Sequence, residues 1–234
     1  MRHLLMIVPF FPPMGGGGVF RPLSFVRYLP PHGWRTTVIA PRGDAFWIRD
    51  ESLLAAIPAD CRVIRTATWS GQRMLSAWRG RDKTRASRSS RGFGRARRVG
   101  SALLVPDTYV GWYPFALRAA LREAKAHRFD AVYSTSPPET SHLIGRQVHA
   151  RAALPWLADF RDPWMNLRLL EPPSTLHARF HRALEAQVCT SANAVVVATR
   201  WHESVLKETY PSARVERIPN GYDGDEIRTV ASLA

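Results

Sequence analysis

The sequence predicts an α/β protein: a Rossmann-like parallel sheet with helices on both faces. Three observations carry the prediction. Apolar runs of strand character alternate with helix-patterned segments along most of the chain. Several of those runs, such as AVVVA at 194–198, are continuously apolar, as strands covered on both faces are. Four consecutive glycines, Gly15 to Gly18, stand between the first apolar run and the first helical pattern. In an open α/β sheet that position is the carboxyl edge, where ligands bind.

The elements follow in order. After Met1-Arg2-His3, a buried first strand ends in Pro9-Phe10-Phe11-Pro12-Pro13, and the glycines then lead into a helix with apolar Leu23, Phe25, Val26 and Leu29. Glycine lets the backbone take positive φ and approach a ligand closely, and the free N–H groups of the following helix favour an anion. A dinucleotide fingerprint is disfavoured by Arg21 where a third glycine would stand, and by VIAP at 38–41, which lacks a ribose-binding acid. Arg21 is instead a candidate partner for a phosphate or carboxylate. His32-Gly33 closes the helix; 35–40 (RTTVIA) is the second strand, 44–60 a short helix ended by Pro58, and 61–69 (CRVIRTATW) an edge strand. A helix over 112–128, a strand over 129–134 and a helix from Ser136 to about Arg151 come next. Ser136-Pro137-Pro138-Glu139 has capping-box spacing, so that helix N-terminus is a second candidate anion site. Strands at 155–160, 194–198 and 215–218 alternate with helices at 175–189 and 199–210.

Composition sets the limits. At 234 residues and 45% hydrophobic, one large α/β domain is expected. Cys61 and Cys189 stand far apart, which disfavours a disulfide framework or zinc site and suits a reducing, cytoplasmic setting. The first apolar run is too short to span a membrane and lacks a cleavage site, so neither export nor a transmembrane helix is expected. The net charge of +14 is concentrated in 72–98, with ten basic residues against Asp82. Such a loop suits an anionic membrane surface through 73–98; no nucleic-acid module accompanies it, and nucleic acid is not an expected partner.

Asp159, Arg161 and Asp162 stand past the carboxyl end of a central strand. A carboxylate there orients or deprotonates a sugar hydroxyl while an arginine keeps it ionised; equally, both acids could pair with Arg161 and cap the loop. His177 and His181 have i, i+4 spacing without a third ligand, and His142 and His149 read as ordinary helix residues. No G-x-S-x-G elbow or P-loop occurs.

FPPMGGGGVFRPLSFVRYLPPHGW, TVIAP, YSTSPPETSH, PWLADFRDPW and RIPNGYD, in this order, resemble the N-terminal domain of family-4 glycosyltransferases of GT-B architecture. The resemblance implies that residues 1–222 form the acceptor-side Rossmann-like half and that 223–234 begin a linker to a C-terminal donor domain. It implies a retaining transfer from a nucleotide-diphosphate sugar to a glycan or lipid-linked acceptor in bacterial cell-envelope synthesis, without metal or other cofactor. Gly15, Gly16, Gly17 and Gly18 would line the cleft; Asp162 would stand near the reacting sugar, with Asp159 its alternative; Asn220 would open the passage between domains. Ser136, Glu139, Arg161 and Arg21 complete the expected substrate-binding set. The donor half carrying the glutamate-rich motif is not in this sequence, so it is expected from a longer frame or a separate polypeptide. Location at the inner face of the cytoplasmic membrane follows. A non-catalytic module for membrane or polyanion, and a sugar-nucleotide epimerase half, are the alternatives.

Overall fold

The computed structural model describes residues 1–43, 48–69, 104–165 and 174–221. The basic segment 72–98, Tyr222 and the expected linker 223–234, and residues 44–47 of the expected 44–60 helix, lie outside the described residues.

Seven parallel strands form one sheet in the order β3-β2-β1-β4-β5-β6-β7. They are β1 (Arg2–Ile7), β2 (Trp34–Pro41), β3 (Arg62–Thr66), β4 (Ala131–Ser136), β5 (Trp156–Phe160), β6 (Ala194–Val197) and β7 (Val215–Arg217). The helices are α1 (Phe20–Tyr28), α2 (Tyr113–Ala126), α3 (Thr140–Ala152), α4 (Thr175–Ser191) and α5 (Arg200–Thr209). β1 to β3 build one wing; α2 then carries the chain back across the sheet to β4. Connections therefore leave β1 and β4 in opposite directions, which opens a crevice at their carboxyl ends.

Each face of the sheet has its own core. Leu4, Met6, Val38 and Ala40 point to one side and bury Leu23 and Val26, three residues apart on α1. Leu5, Ile7, Ile39, Val132, Ala158 and Phe160 point to the other, against Ala116 and Ala120 of α2, Ile144 and Val148 of α3, Val188 of α4 and Leu206 of α5. α3 lies close to the sheet because Gly145 has no side chain: a Cβ there would stand 2.7 Å from Trp156 Nε1 and 2.8 Å from Ser134 Oγ.

Two expectations need correction. The stretch before Pro58 contains a 3-10 helix, Glu51–Ala56, held by the Asp50 carboxylate, which accepts from Ser52 N at 3.1 Å. The helix expected to open at Ser136 begins instead at Thr140. Ser136 is the last residue of β4, opposite Phe160, and its buried Oγ has no partner among the described residues. A proline carries no N–H, so Pro137 and Pro138 leave the serine almost nothing to cap. Asp107, 33 residues away in sequence, takes the role by accepting from Thr140 N at 2.7 Å and Thr140 Oγ1 at 2.9 Å.

Candidate functional site at the carboxyl edge

The glycine loop crosses the crevice, and its four glycines do different things. Gly15 is buried, and a Cβ there would meet Ile48 at 2.9 Å. Gly16 has φ +94°, a conformation that glycine adopts without a steric penalty. Gly17 is exposed, with nothing within 4 Å of where its Cβ would stand. At Gly18 a Cβ would lie 2.6 Å from both Arg161 Nη1 and a Phe10 ring carbon. The loop is therefore closely fitted to the protein at 15 and 18 and free at 16–17. No side chain caps α1, whose N-cap is Val19; Val19 N donates to Gly16 O at 3.1 Å and Pro22 carries no N–H, which leaves Phe20 and Arg21 as the first-turn N–H groups without a helical partner.

Arg161 spans the crevice. Its Nη1 donates to Gly18 O at 2.8 Å, its Nε to Ser136 O at 3.0 Å and its Nη2 to Pro137 O, while the guanidinium lies 5.5 Å over the Phe10 ring. One cation thus holds the loop after β1 against the loop after β4. Burial draws its pKa below the ordinary value, against the opposing pull of Asp159 and Asp162.

Asp159 does not stand past the strand. It lies inside β5, opposite Thr135, at 0% exposure. Arg21 of α1 grips it through Nε at 2.9 Å and Nη2 at 2.8 Å, Tyr133 donates its hydroxyl at 2.6 Å, and Thr135 Oγ1 donates at 3.1 Å. The partner of this acid is Arg21 rather than Arg161. Burial by itself would lower the Arg21 pKa; the bonds and charge of Asp159 outweigh it and raise the value. Burial first, then Asp159, pushes the Tyr133 phenol well above its ordinary range. A carboxylate so enclosed is a positioning group with no approach to a substrate hydroxyl. Arg21 Nη1 also donates to Pro219 O at 3.1 Å and Asn220 Oδ1 at 3.3 Å, so the segment after β7 is tied to the first turn of α1.

Asp162 is exposed, and among the described residues no hydrogen bond or ion pair engages it. Glu139 stands near it, 5% exposed at the start of α3. Burial, then the charge of Asp107, pushes Glu139 up to about 8, with Asp162 adding to the rise and Arg161 opposing it. Asp107 is raised by burial as well, against the N–H groups of Thr140, Tyr109 and Glu139. The N-terminus of α3 is thereby filled with carboxyl groups, and Asp107 occupies the Thr140 N–H that the second expected anion site would use. Ser136 serves the crevice only through its carbonyl.

The histidines go elsewhere. His181 Nδ1 accepts from Trp164 Nε1 at 2.9 Å, whereas His177 Nδ1 meets Ser174 Oγ at 2.9 Å, and no cluster of three or more metal-ligating side chains occurs among the described residues. His142 is fully buried beside Phe160, with Nδ1 2.8 Å from Ser134 Oγ, and burial lowers it to about 3. Sequence reasoning missed Asp107 and Tyr133. Asp107 carried a weak signal as an acid after Val105-Pro106; Tyr133 carried none, since a tyrosine in an apolar strand reads as core.

Sheet order, crevice and paired loops define the Rossmann-like half of a GT-B glycosyltransferase architecture. The chain belongs to the Glycosyl transferase 4-like domain family, which it matches over residues 16–221. Sucrose-phosphate synthase from Thermosynechococcus elongatus superposes with a TM-score of 0.61 at 13% identity, over 100% of this chain and 53% of that one. Apo UGT2 of Phytolacca americana gives 0.55 at 12%, over 99% and 54%. HepE of Anabaena, solved with UDP and glucose, gives 0.50 at 12%, over 98% and 49%. The chain spans about half the length of these three proteins. No curated protein sequence matches it.

Proposed function

We propose that this domain is the acceptor-side half of a retaining glycosyltransferase that moves a sugar from a nucleotide-diphosphate donor to a lipid-linked or other cell-envelope acceptor. The observation that carries the reading is Asp162: an exposed carboxylate, unengaged among the described residues, one residue after the arginine that fixes both crevice loops. In the transfer, the bond from the sugar's anomeric carbon to the diphosphate breaks and the acceptor oxygen bonds that carbon, losing its proton. Asp162 orients the acceptor hydroxyl and draws on its proton. The uncapped start of α1, beside Gly16 and Gly17, meets diphosphate charge with backbone N–H groups, so the reading asks for no metal. Asn220, Arg161 and Arg21 hold these parts in register, and Glu139 supplies a neutral wall below its pKa. The donor lobe comes from a longer frame or a separate polypeptide, and the enzyme works at the inner face of the cytoplasmic membrane, with 73–98 against anionic lipid.

The test is turnover, read as nucleoside diphosphate release from a panel of nucleotide sugars with membrane-derived acceptors, in the enzyme completed by its donor lobe. Asp162→Ala is expected to lower kcat by about 10²-fold or more with an unchanged melting curve. Arg161→Lys keeps a charge but loses the three-carbonyl grip, and is expected to lower kcat as well. Wild-type rates in Asp162→Ala would remove that residue from catalysis.

A further inference from the structure

The first half of α4 is less buried than the second. The chain leaves β5 at the carboxyl edge and returns to the opposite edge at β6 through this helix of 17 residues, about 25 Å long at 1.5 Å per residue. β5 has only 5 residues, about 17 Å at 3.3 Å each. The helix's buried residues Glu185, Val188 and Cys189 all lie in its second half, while in the first half His177, Ala178 and His181 are half-buried, His181 through its bond to Trp164, and the other residues are exposed. On this first half Leu176 is 59% and Phe180 53% exposed, one turn apart, with exposed Arg179 beside them and exposed Arg182 further round the helix. From Ser174 to Leu184 there is no acidic residue. The next helix on this face, α5, also begins at the carboxyl edge, and it opens with exposed Arg200 and with Trp201 at 55% exposure. The nearest acid along α5, Glu203, is committed to Lys207 at 2.8 Å and Arg217 at 3.3 Å.

We infer that this rim, formed by Leu176, Arg179, Phe180, Arg182, Arg200 and Trp201, is a docking surface for an anionic lipid bilayer. The chemistry fits one occupant. Apolar side chains with guanidinium groups at their sides enter the headgroup boundary while the charges stay with lipid phosphates, and tryptophan favours that depth. A protein partner of ordinary kind needs roughly 800 Å² on each side, whereas the α4 stretch from Leu176 to Arg182 is under two turns long. Both helices start on the rim that bears the glycine loop, so docking sets the crevice against the membrane surface. This rests on the reading of a lipid-linked acceptor and gives it a route: the acceptor's headgroup reaches Asp162 without leaving the bilayer.

The experiment is co-sedimentation of the full 234-residue chain with vesicles of phosphatidylcholine, with and without phosphatidylglycerol. Wild type is expected to prefer the anionic vesicles. Leu176→Ser/Phe180→Ser and Arg179→Glu/Arg182→Glu are each expected to lower partitioning by about tenfold, the charge variant also losing most of the preference, with melting temperatures unchanged. Wild-type partitioning in both variants would assign all binding to other segments and overturn the inference. So would a clear fall in melting temperature in Leu176→Ser/Phe180→Ser, which would mean that the chain itself covers this face, or a concentration-dependent dimer that these substitutions abolish. Transfer to a water-soluble acceptor fragment by the completed enzyme is expected to survive both variants. Loss of vesicle binding with transfer intact separates the docking surface from the catalytic reading, and failed transfer with vesicle binding intact would sink only the latter.

Discussion

At the scale of single residues, the site is organised by two arginines that the crevice swallows. Arg21 saturates Asp159, and Arg161 is spent on backbone carbonyls. A buried ion pair contributes little net stability against an apolar replacement of the same shape, yet breaking one side strands the other charge. Asp159→Asn leaves Arg21 buried without its counter-ion and is expected to destabilise the domain by about 3 kcal/mol or more, measured by urea unfolding. Arg21→Met/Asp159→Leu is expected to recover much of that loss, and a mild effect in Asp159→Asn would show that the pair is not closed. The sequence showed that these residues gather at one edge. It did not show the pairing, because which of two arginines reaches a given aspartate depends on side-chain direction: Asp159 points toward the α1 face and Arg161, two positions on, has already left the strand.

At the scale of elements, most of the fold was legible. Parallel strands buried on both faces are continuously apolar, and the switch to helical spacing marks each crossover, so seven strands and five helices could be read within a few residues of their observed bounds. Legibility failed where a long-range partner overrode a local motif. Ser136 and Glu139 had capping-box spacing, but the α3 cap is Asp107, supplied from the loop before α2. Asp107→Ala is expected to cost about 1–2 kcal/mol, seen as a lower melting temperature, while Ser136→Ala costs little or nothing. A larger loss from Ser136→Ala than from Asp107→Ala would restore the local reading.

At the scale of the whole molecule, buried titratable groups set how stability responds to pH. Glu139 is pushed from 4.5 to about 8 in the folded state, so between those values the folded chain holds a proton that the unfolded chain has released. Stability therefore falls as pH rises through that window, and the full penalty stands above about 8. His142 and His202 act in the opposite direction: burial lowers them from 6.5 to about 3 and about 4, so stability falls as pH drops below 6.5. Glu139→Gln is expected to raise the melting temperature at about pH 9 and to leave it nearly unchanged at about pH 4, where glutamate is largely protonated in both states. Equal melting temperatures for the two proteins at the higher pH would mean that Glu139 ionises in the fold as readily as in the unfolded chain. None of this was visible in the sequence, since a glutamate three residues after a serine reads as a cap until the sheet is assembled around it. The glycine loop also has a practical use. Gly17 has room on every side, Cys189 is buried and Cys61 half-buried, so a thiol placed at 17 would be the most reachable of three and a dye attached there would sit at the mouth of the crevice. The loop itself thus offers the attachment point for an optical reporter of whatever molecule comes to rest beside it.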